Sequence, residues 1–534
     1  MYVLGIHGSF ARTDHDSSAA LVRGTEIVAA AEEERFTRHK HAVGVMPDNA
    51  IRYCLRAAGI TMAEVDYIAF PRSTWLDFGP RLDAYLEHRF GACPEAIFLD
   101  HHTCHAAMAF YTSGLPDGLI ISLDQSGDGL SCAVFRGDES GLRMIDSTPF
   151  PDSLGLFAAL MTQYLGFRSN NDEYKVMGLA PYGQAKFDLS PIIDFVDGHI
   201  RLDARVLHQE IFRGHPYCRT DQLPIFNDGL LDLPARRFPG GELREEHKDL
   251  AASAQKHVEE LILATVAHHR LPSDRHLLMT GGVAENTVAN GRLAAGGGFE
   301  SVFVSPASGD AGTALGAALL LTSREVGRPQ PLSTAQLGPS YTNDYVRETL
   351  ERCGTRYVET TDAARDVADQ LCAGKTVAWF TGRLEFGPRA LGGRSILADA
   401  SSPETKARVN KIKYRESFRP FGASILAEHA GDLFETAVES PFMSFALPTQ
   451  SSNGSLGAVT HVDGTSRLHT VPPGDAVYRR LIEQVHAKSG VPAILNTSLN
   501  SGWEPIIESP EQALAFFYSS AADVLALEDF IVVK

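Results

Sequence analysis

Two histidines four residues apart, His101 and His105 in "DHHTCHAAMAF", open an alanine-rich apolar run. On a helix that spacing turns both imidazoles to one face, where they can share one metal ion. Two carboxylates have the chemistry to complete such a set: Asp124, closing the apolar run "GLIISLD", and Asp310, in the turn "SGDAG" before a small-residue helix. A mixed nitrogen and oxygen set with open positions suits Fe(II), Mn(II) or Zn(II) rather than a cysteine-held structural zinc. Taken alone, the pair reads equally well as helix-surface histidines or as the start of a helix capped by Asp100. His102 lies on a different face and is expected to support the fold or a neighbouring ring.

A second kind of chemistry lies in the C-terminal half. "TGRLEFGPRALGGRS" sets Arg383, Arg389 and Arg394 among glycines, and "NKIKYRESFRPF" adds Lys411, Lys413, Arg415 and Arg419. The planar forks of Arg389, Arg394 and Arg419 match phosphate oxygens, so phosphate or carbamoyl phosphate fits. Surface salt bridges are the alternative, but small apolar neighbours are unusual for a solvated face. Asn496, Ser498 and Asn500 in "LNTSLNSGWEPI" alternate, so that their side chains can share one side and bind a planar carbamoyl group.

The glycine turns "DQSGDG", "TGGVAEN" and "SPASGDAG" each precede a strand or helix, and the last two suit an anion at a helix N-terminus. Singly they are common turns. In order, a hairpin, a second hairpin ending in Asp, strand–double glycine–helix and Gly-Asp–helix follow the actin-like and sugar-kinase ATP fold. Lys175 in "NDEYKVMGLAPYG", close to Gly178, suits a phosphate. His15 and Lys40 flank the first hairpin; one can orient or deprotonate an acceptor hydroxyl, the other neutralise developing charge. By themselves both read more simply as residues of a polar loop.

The elements that must position these groups start with strand, loop, strand, turn, strand over the first 35 residues: "MYVLGI", "SAALV" and "IVAAAEEE". The pattern recurs where Leu119–Leu123 ends in Asp124 and the chain resumes at Ser131, which predicts two related halves. Helical spacing predicts a helix over 251–269. Residues 326–341, rich in Pro, Gly, Ser and Gln, mark a boundary, giving domains 1–330 and 342–534 with a linker at 331–341. A length of 534 residues fits more than one domain, and 44% hydrophobic with 21% charged residues fits a globular chain. The formal charge of −18 disfavours a nucleic-acid partner. Seven scattered cysteines without a CxxC pair suit a reducing cytoplasm. With no basic stretch before an apolar leader, and no apolar run near the roughly 18 residues of a membrane span, no membrane partner is expected. A homodimer is compatible with the sequence, which does not set the oligomeric state.

In chain order, "HDSSAALV", "EEERFTRHKH", "HHTCHAAMAF", "LDQSGDG", "YKVMGLAPYG", "TGGVAEN", "PASGDAG", "GRLEFGPRALGGRSIL", "NKIKYRESFRPF", "HVDGTSRLHTV" and "LNTSLNSGWEPI" resemble the O-carbamoyltransferase family of nodulation and antibiotic-tailoring enzymes. The resemblance implies an α/β fold: an N-terminal domain similar to the tRNA threonylcarbamoyladenosine transferase, of the actin-like ATPase (ASKHA) superfamily, and a YrdC-like α/β C-terminal domain. It implies that carbamoyl phosphate is cleaved to carbamate, which ATP converts to carbamoyl adenylate and which then passes to a hydroxylated small-molecule acceptor. His101, His105, Asp124 and Asp310 match the metal ligands, with Fe(II) expected and Mg(II) accompanying ATP. His15 and Lys40 match the transfer centre. Ser126, Gly127, Asp128, Lys175, Gly178, Gly281, Gly282, Val283, Asn286 and Gly309 are the expected ATP-site positions. Arg389, Arg394, Lys413, Arg415, Arg419, Arg467, Asn496, Ser498 and Asn500 are those for carbamoyl phosphate. One departure is local: Leu499 stands where relatives carry Phe, and "SGW" precedes Glu504. A tRNA-modifying enzyme would share the metal set but is disfavoured by the charge. A non-catalytic actin-like switch would need neither the histidine pair nor an arginine-rich second domain.

Overall fold

The computed structural model describes residues 1–11, 14–75, 77–208, 224–227, 229–296, 298–450, 454–474 and 476–534. It divides into two units: Met1–Val28, Val43–Ile51 and Leu55–Leu332, and Ala29–Ala42, Arg52–Cys54 and Ser333–Lys534. The expected division at 331–341 therefore has an addition: residues 29–42 and 52–54, read as N-terminal from the sequence, belong to the second unit.

Short apolar runs build two sheets of the first unit, except that the Ala29–Glu32 part of the strand Glu26–Glu32 is counted with the second unit. One contains β1 (Tyr2–His7), β2 (Ser18–Arg23), β3 (Glu26–Glu32), β4 (Tyr67–Phe70) and β5 (Glu95–Phe98), in the order β3-β2-β1-β4-β5. β1 is antiparallel to β2 and parallel to β4, which is parallel to β5. The other contains β6 (Gly118–Gly127), β7 (Leu130–Asp138) and β8 (Gly141–Pro149), followed after the hairpin β9 (Ile193–Val196) and β10 (His199–Leu202) by β11 (His276–Thr280) and β12 (Ser301–Val304). Its order, β12-β11-β6-β7-β8, repeats the first: β6 is antiparallel to β7 and parallel to β11, itself parallel to β12. The strands near each sheet's centre are apolar on both faces because both faces are covered.

β6 outruns the expected Leu119–Leu123, because a register shift between Leu123 and Gly127 lets the ladder resume at Gly127–Leu130. Asp124 falls in that irregular stretch, where a side chain can be re-aimed. The helix expected over 251–269 spans Glu245–His269; its first turn is acidic and its last carries His268 and His269, which suits the helix dipole.

Two helices hold the histidines in place. His101–Ser113 packs against Ala311–Glu325, whose small residues allow close approach. A Cβ on Gly316 would stand 2.0 Å from the Cys104 carbonyl oxygen. Gly316→Val is therefore expected to lower the thermal midpoint, by about 1–3 kcal/mol of overpacking, as calorimetry can check. Among the described residues no helix is long and apolar enough to cross a membrane.

The second unit holds β13 (Val358–Glu359), β14 (Val377–Phe380), β15 (Arg394–Asp399), β16 (Gly422–Leu426), β17 (Phe445–Pro448), β18 (Thr465–Val471), β19 (Ala493–Ser498), β20 (Val524–Leu527) and β21 (Phe530–Val533). They form one mixed sheet in the order β13-β21-β20-β14-β15-β19-β16-β18-β17. Val377, Trp379, Leu397, Leu426, Val471 and Ile494 pack under the helices Ala363–Cys372 and Val477–Ser489. The two-residue period then puts Asn496, Ser424 and His469 on that same face, at its polar end.

Candidate functional site

His101, His105, Asp124 and Asp310 converge in the first unit, all four buried, with their donor atoms within 4.8 Å of one another. Asp100 caps the histidine helix by accepting from Thr103 N–H at 2.8 Å. One helical turn then brings the His101 and His105 Nε2 atoms to 3.1 Å. Asp124 Oδ2 lies 3.2 Å from His101 Nε2 and 3.7 Å from His105 Nε2, and Asp310 Oδ1 lies 3.5 and 3.4 Å from the same atoms. Gly127 makes room: a Cβ there would stand 1.8 Å from the His101 ring. The second Asp124 oxygen accepts from Gly282 N–H at 3.2 Å.

These residues fit a divalent metal. Donors about 2.1 Å from one ion stand about 3.0–3.4 Å apart at right or tetrahedral angles, close to the separations above. Asp310 Oδ1 and His105 Nδ1 are buried without a hydrogen-bond partner. Burial lowers His101, and the Arg72 guanidinium lowers it further, to about 3. Burial would lower His105 too, but Asp124 and Asp310 outweigh it and push it up to about 9. Both carboxylates stay below their usual range despite burial, through the two imidazoles. A dication there would displace the His105 proton and the proton that His101, accepting from Arg72 at Nδ1, carries on Nε2.

Arg72, in "AFPRST" directly after β4, was not singled out from the sequence. It is buried, donates to His101 Nδ1, and its Nη2 lies 3.5 Å from both Asp14 and Asp310 carboxylates. An arginine directly after an apolar strand was the signal available. His7 Nε2 donates to the His15 carbonyl at 3.0 Å. His102 turns elsewhere: Ser122 Oγ stands 2.8 Å from its Nδ1 and the Leu130 carbonyl 3.2 Å from its Nε2. Burial lowers His15, but Asp16, 2.7 Å from Nδ1, prevails and raises it to about 10. His15 is thus held as an imidazolium, which favours charge stabilisation over the proton abstraction open to it from sequence.

Around Asp124 the expected ATP positions gather in part. Gly281 N–H donates to the Ser308 carbonyl at 2.9 Å, and a Cβ on Gly309 would stand 3.9 Å from Gly282 Cα, so the two glycine turns touch. Ser126 and Gly282 are exposed and Val283 half-buried at this edge. Asn286 Oδ1 accepts from Ala289 N–H at 3.1 Å, capping the helix Thr287–Gly296, and its amide pairs with Gln255. Lys175 lies 3.2 Å from Asp172, and Met177, between it and Gly178, accepts from Thr287. Asp128 has another role: its carboxylate accepts from Ser73, Thr74 and His101 backbone N–H groups, tying a turn to the histidine helix.

In the second unit, cations crowd together. Burial, then the fields of Arg415, Arg419, Lys40 and Arg467, push Lys413 well below its ordinary value. Arg467 is depressed by burial and by Arg389 and Arg419. Since a guanidinium keeps its proton, that depression marks a concentration of positive charge. Lys40, expected at the transfer centre, lies near enough for its charge to weigh on Lys413. The "EEERFTRHK" segment builds the same site: Glu32 accepts from Gly387 N–H and Arg35 donates to the Gly387 carbonyl, each at 2.8 Å, two residues before Arg389. Arg38 donates to the Pro505 and Ile506 carbonyls at 2.7 and 2.6 Å. Lys413 Nζ donates to Asn500 Oδ1 at 2.7 Å and to the Ser498 carbonyl. Ser498 Oγ donates to Asn500 Oδ1 at 2.7 Å, so these two expected carbamoyl contacts are engaged with Lys413 and each other. Arg415 donates to Asn410 Oδ1 at 2.6 Å and lies over the Phe421 ring, and Arg419 lies 3.9 Å from Glu416.

Arg394 departs from the phosphate role read from sequence. It is fully buried, lies 3.5 Å over the Phe380 ring centre, and donates to the carbonyls of Thr381, Gly382, Gly393 and Pro339 at 3.1–3.2 Å. Its fork is occupied by backbone. Arg394→Ala is expected to cost about 3–5 kcal/mol by leaving buried acceptors unpaired, with activity falling only as folded protein falls; denaturant titration beside activity reads both.

Residues 3–90 and 84–319 match the family model for the carbamoyltransferase N-terminus, and residues 368–534 that for the carbamoyltransferase C-terminus. The chain belongs to the carbamoyltransferase family and is a carbamoyltransferase. Among its relatives, the nodulation protein NolNO of Sinorhizobium fredii is 36% identical over 97% of this chain and 79% of that protein. A 3'-hydroxymethylcephem-O-carbamoyltransferase of Streptomyces clavuligerus is 28% identical over 91% of each chain. Among solved structures, T. kodakarensis HypF aligns with 61% of this chain and 48% of its own at 13% identity and a TM-score of 0.34.

Proposed function

We propose that the protein is an ATP-dependent O-carbamoyltransferase that takes its carbamoyl group from carbamoyl phosphate and delivers it to a hydroxyl of a small-molecule natural product. The observation that carries this reading is the second unit's cation cluster, in which Arg389, Arg415, Arg419 and Arg467 gather near the buried Lys413, and burial first, then these like charges, depress Lys413 and Arg467. An anion relieves that field. The repeated strand order supports reading the first unit as an actin-like ATP-binding domain with two related halves, and the second unit is read as YrdC-like.

Arg389, Arg419 and Arg467 bind the phosphate and stabilise charge on it as water cleaves carbamoyl phosphate to carbamate and inorganic phosphate. A carbamate oxygen then attacks the α-phosphorus of ATP and pyrophosphate leaves. Finally the acceptor oxygen attacks the carbamoyl carbon and AMP leaves, the hydroxyl proton passing to a base or solvent. Free carbamate reverts to CO2 and ammonia, so the steps need shelter from water. His101, His105, Asp124 and Asp310 would hold the divalent metal, with Fe(II) expected, and the metal when bound anchors nucleotide phosphates and offsets their charge. The glycine turns at 126–127 and 281–286, with Gly309, Lys175 and Gly178, line the nucleotide. His15, as an imidazolium, stabilises negative charge at the transfer centre.

The acceptor class is tested by offering ATP, carbamoyl phosphate and a panel of hydroxylated aminoglycosides, cephems and macrolides, then weighing the products. One panel member is expected to gain a single carbamoyl group, only with ATP present. Transfer without ATP would contradict the reading.

A further inference from the structure

On the polar end of the second unit's sheet, four side chains form a hydrogen-bonded set whose directions are forced. Asn496 on β19 is fully buried, and one end of its amide stands 2.9 Å from the Ala390 carbonyl oxygen. A carbonyl only accepts, so the amide nitrogen is the end that faces it. The same nitrogen donates to Ser424 Oγ at 2.9 Å, and the Tyr478 hydroxyl donates to Ser424 Oγ at 2.7 Å. With both lone pairs of Ser424 Oγ engaged, its proton has one destination, His469 Nδ1, at 2.7 Å. Burial lowers His469 to about 3, which keeps the ring neutral and Nδ1 able to accept.

This set leaves Asn496 one rotamer and turns its carbonyl oxygen away from Ala390 and Ser424. That oxygen is buried and has no hydrogen-bond partner. In the same sheet row stand Gly422 and then Arg467, whose Nε is likewise buried and unpartnered. The Met443 sulfur lies over Gly422, 2.7 Å from where a Cβ would be, and a thioether is at most a weak acceptor for the Arg467 donor and offers nothing to the Asn496 oxygen. An unmatched acceptor and an unmatched cationic donor on one face call for a ligand that has both an N–H and an anionic oxygen.

We propose that Ser424, His469 and Tyr478 are positioning residues that fix the Asn496 carbonyl as acceptor for the amino group of carbamoyl phosphate, so that this chain selects a carbamoyl donor over an acyl phosphate of the same shape. The proposal rests on the carbamoyl phosphate reading above and adds to it the source of the selectivity. Acetyl phosphate has a methyl group where carbamoyl phosphate has NH2, and would leave the buried oxygen unmatched.

Calorimetric binding of carbamoyl phosphate, acetyl phosphate and inorganic phosphate to the full-length protein tests it. The wild type is expected to favour carbamoyl over acetyl phosphate by roughly 10- to 100-fold. Ser424→Ala and His469→Leu are expected to reduce that preference to about 3-fold or less with phosphate binding unchanged, whereas His469→Gln, which keeps an acceptor, retains most of it. Equal wild-type affinity for the two acyl phosphates overturns the proposal and leaves the anion site standing. A preference that survives in a folded His469→Leu also overturns it. Failure of all three ligands to bind the wild type overturns the proposal together with the site on which it rests.

Discussion

His101→Ala should abolish the divalent-metal binding proposed for the four buried donors. The substitution removes one of four donors and leaves Asp124 and Asp310 facing a single remaining imidazole, so metal affinity is expected to fall on the order of 100-fold or more. Carbamoyl transfer should fall with it, while hydrolysis of carbamoyl phosphate in the second unit continues. Metal content by atomic spectroscopy after dialysis, beside the two activities, reads the outcome. His102→Ala is the control: His102 bonds to Ser122 and the Leu130 carbonyl, away from the four donors, so its loss should lower stability and leave metal content intact. Unchanged metal in His101→Ala would make the four residues a buried polar cluster and no more.

The second large effect is expected at Arg389. Its charge reaches Arg467, and its loop is pinned on both sides, by Glu32 and Arg35 at Gly387 and by Asn496 at Ala390. A loop held this way would present the Arg389 fork to a bound phosphate, so Arg389→Ala should lower kcat/KM for carbamoyl phosphate by about 100- to 1,000-fold. Nucleotide binding, assigned to the other unit, should not change. Phosphate release and binding of a fluorescent ATP analogue separate the two; equal loss of both would contradict the division of labour.

What could be read from the sequence follows the range of the physics. The histidine pair was readable because an i, i+4 spacing is local, and the strand order because apolar runs and glycine turns are local too. That Asp124 and Asp310 meet the pair depends on contacts between residues 101 and 310, which their places at a strand end and before a helix allow but do not fix. Arg72 escaped notice because a single arginine after a strand has no pattern, and its meaning comes entirely from Asp14, Asp310 and His101 around it. Arg389 and Arg394 look alike in "GPRALGGRS"; what separates them is that Arg394 begins β15 facing Phe380 and four carbonyls, whereas Arg389 sits in the clamped loop. The "EEERFTRHK" segment was placed with its neighbours in sequence, yet Glu32, Arg35 and Arg38 pair with residues more than 350 positions away. Tertiary pairing of that length leaves no trace in periodicity or composition.

The most direct test of the proposed chemistry omits the acceptor. The protein, with Fe(II), ATP and isotope-labelled carbamoyl phosphate, should release inorganic phosphate and pyrophosphate and yield a labelled carbamate joined to AMP, detectable by mass spectrometry. Failure to consume carbamoyl phosphate, or its consumption without pyrophosphate, would contradict the account.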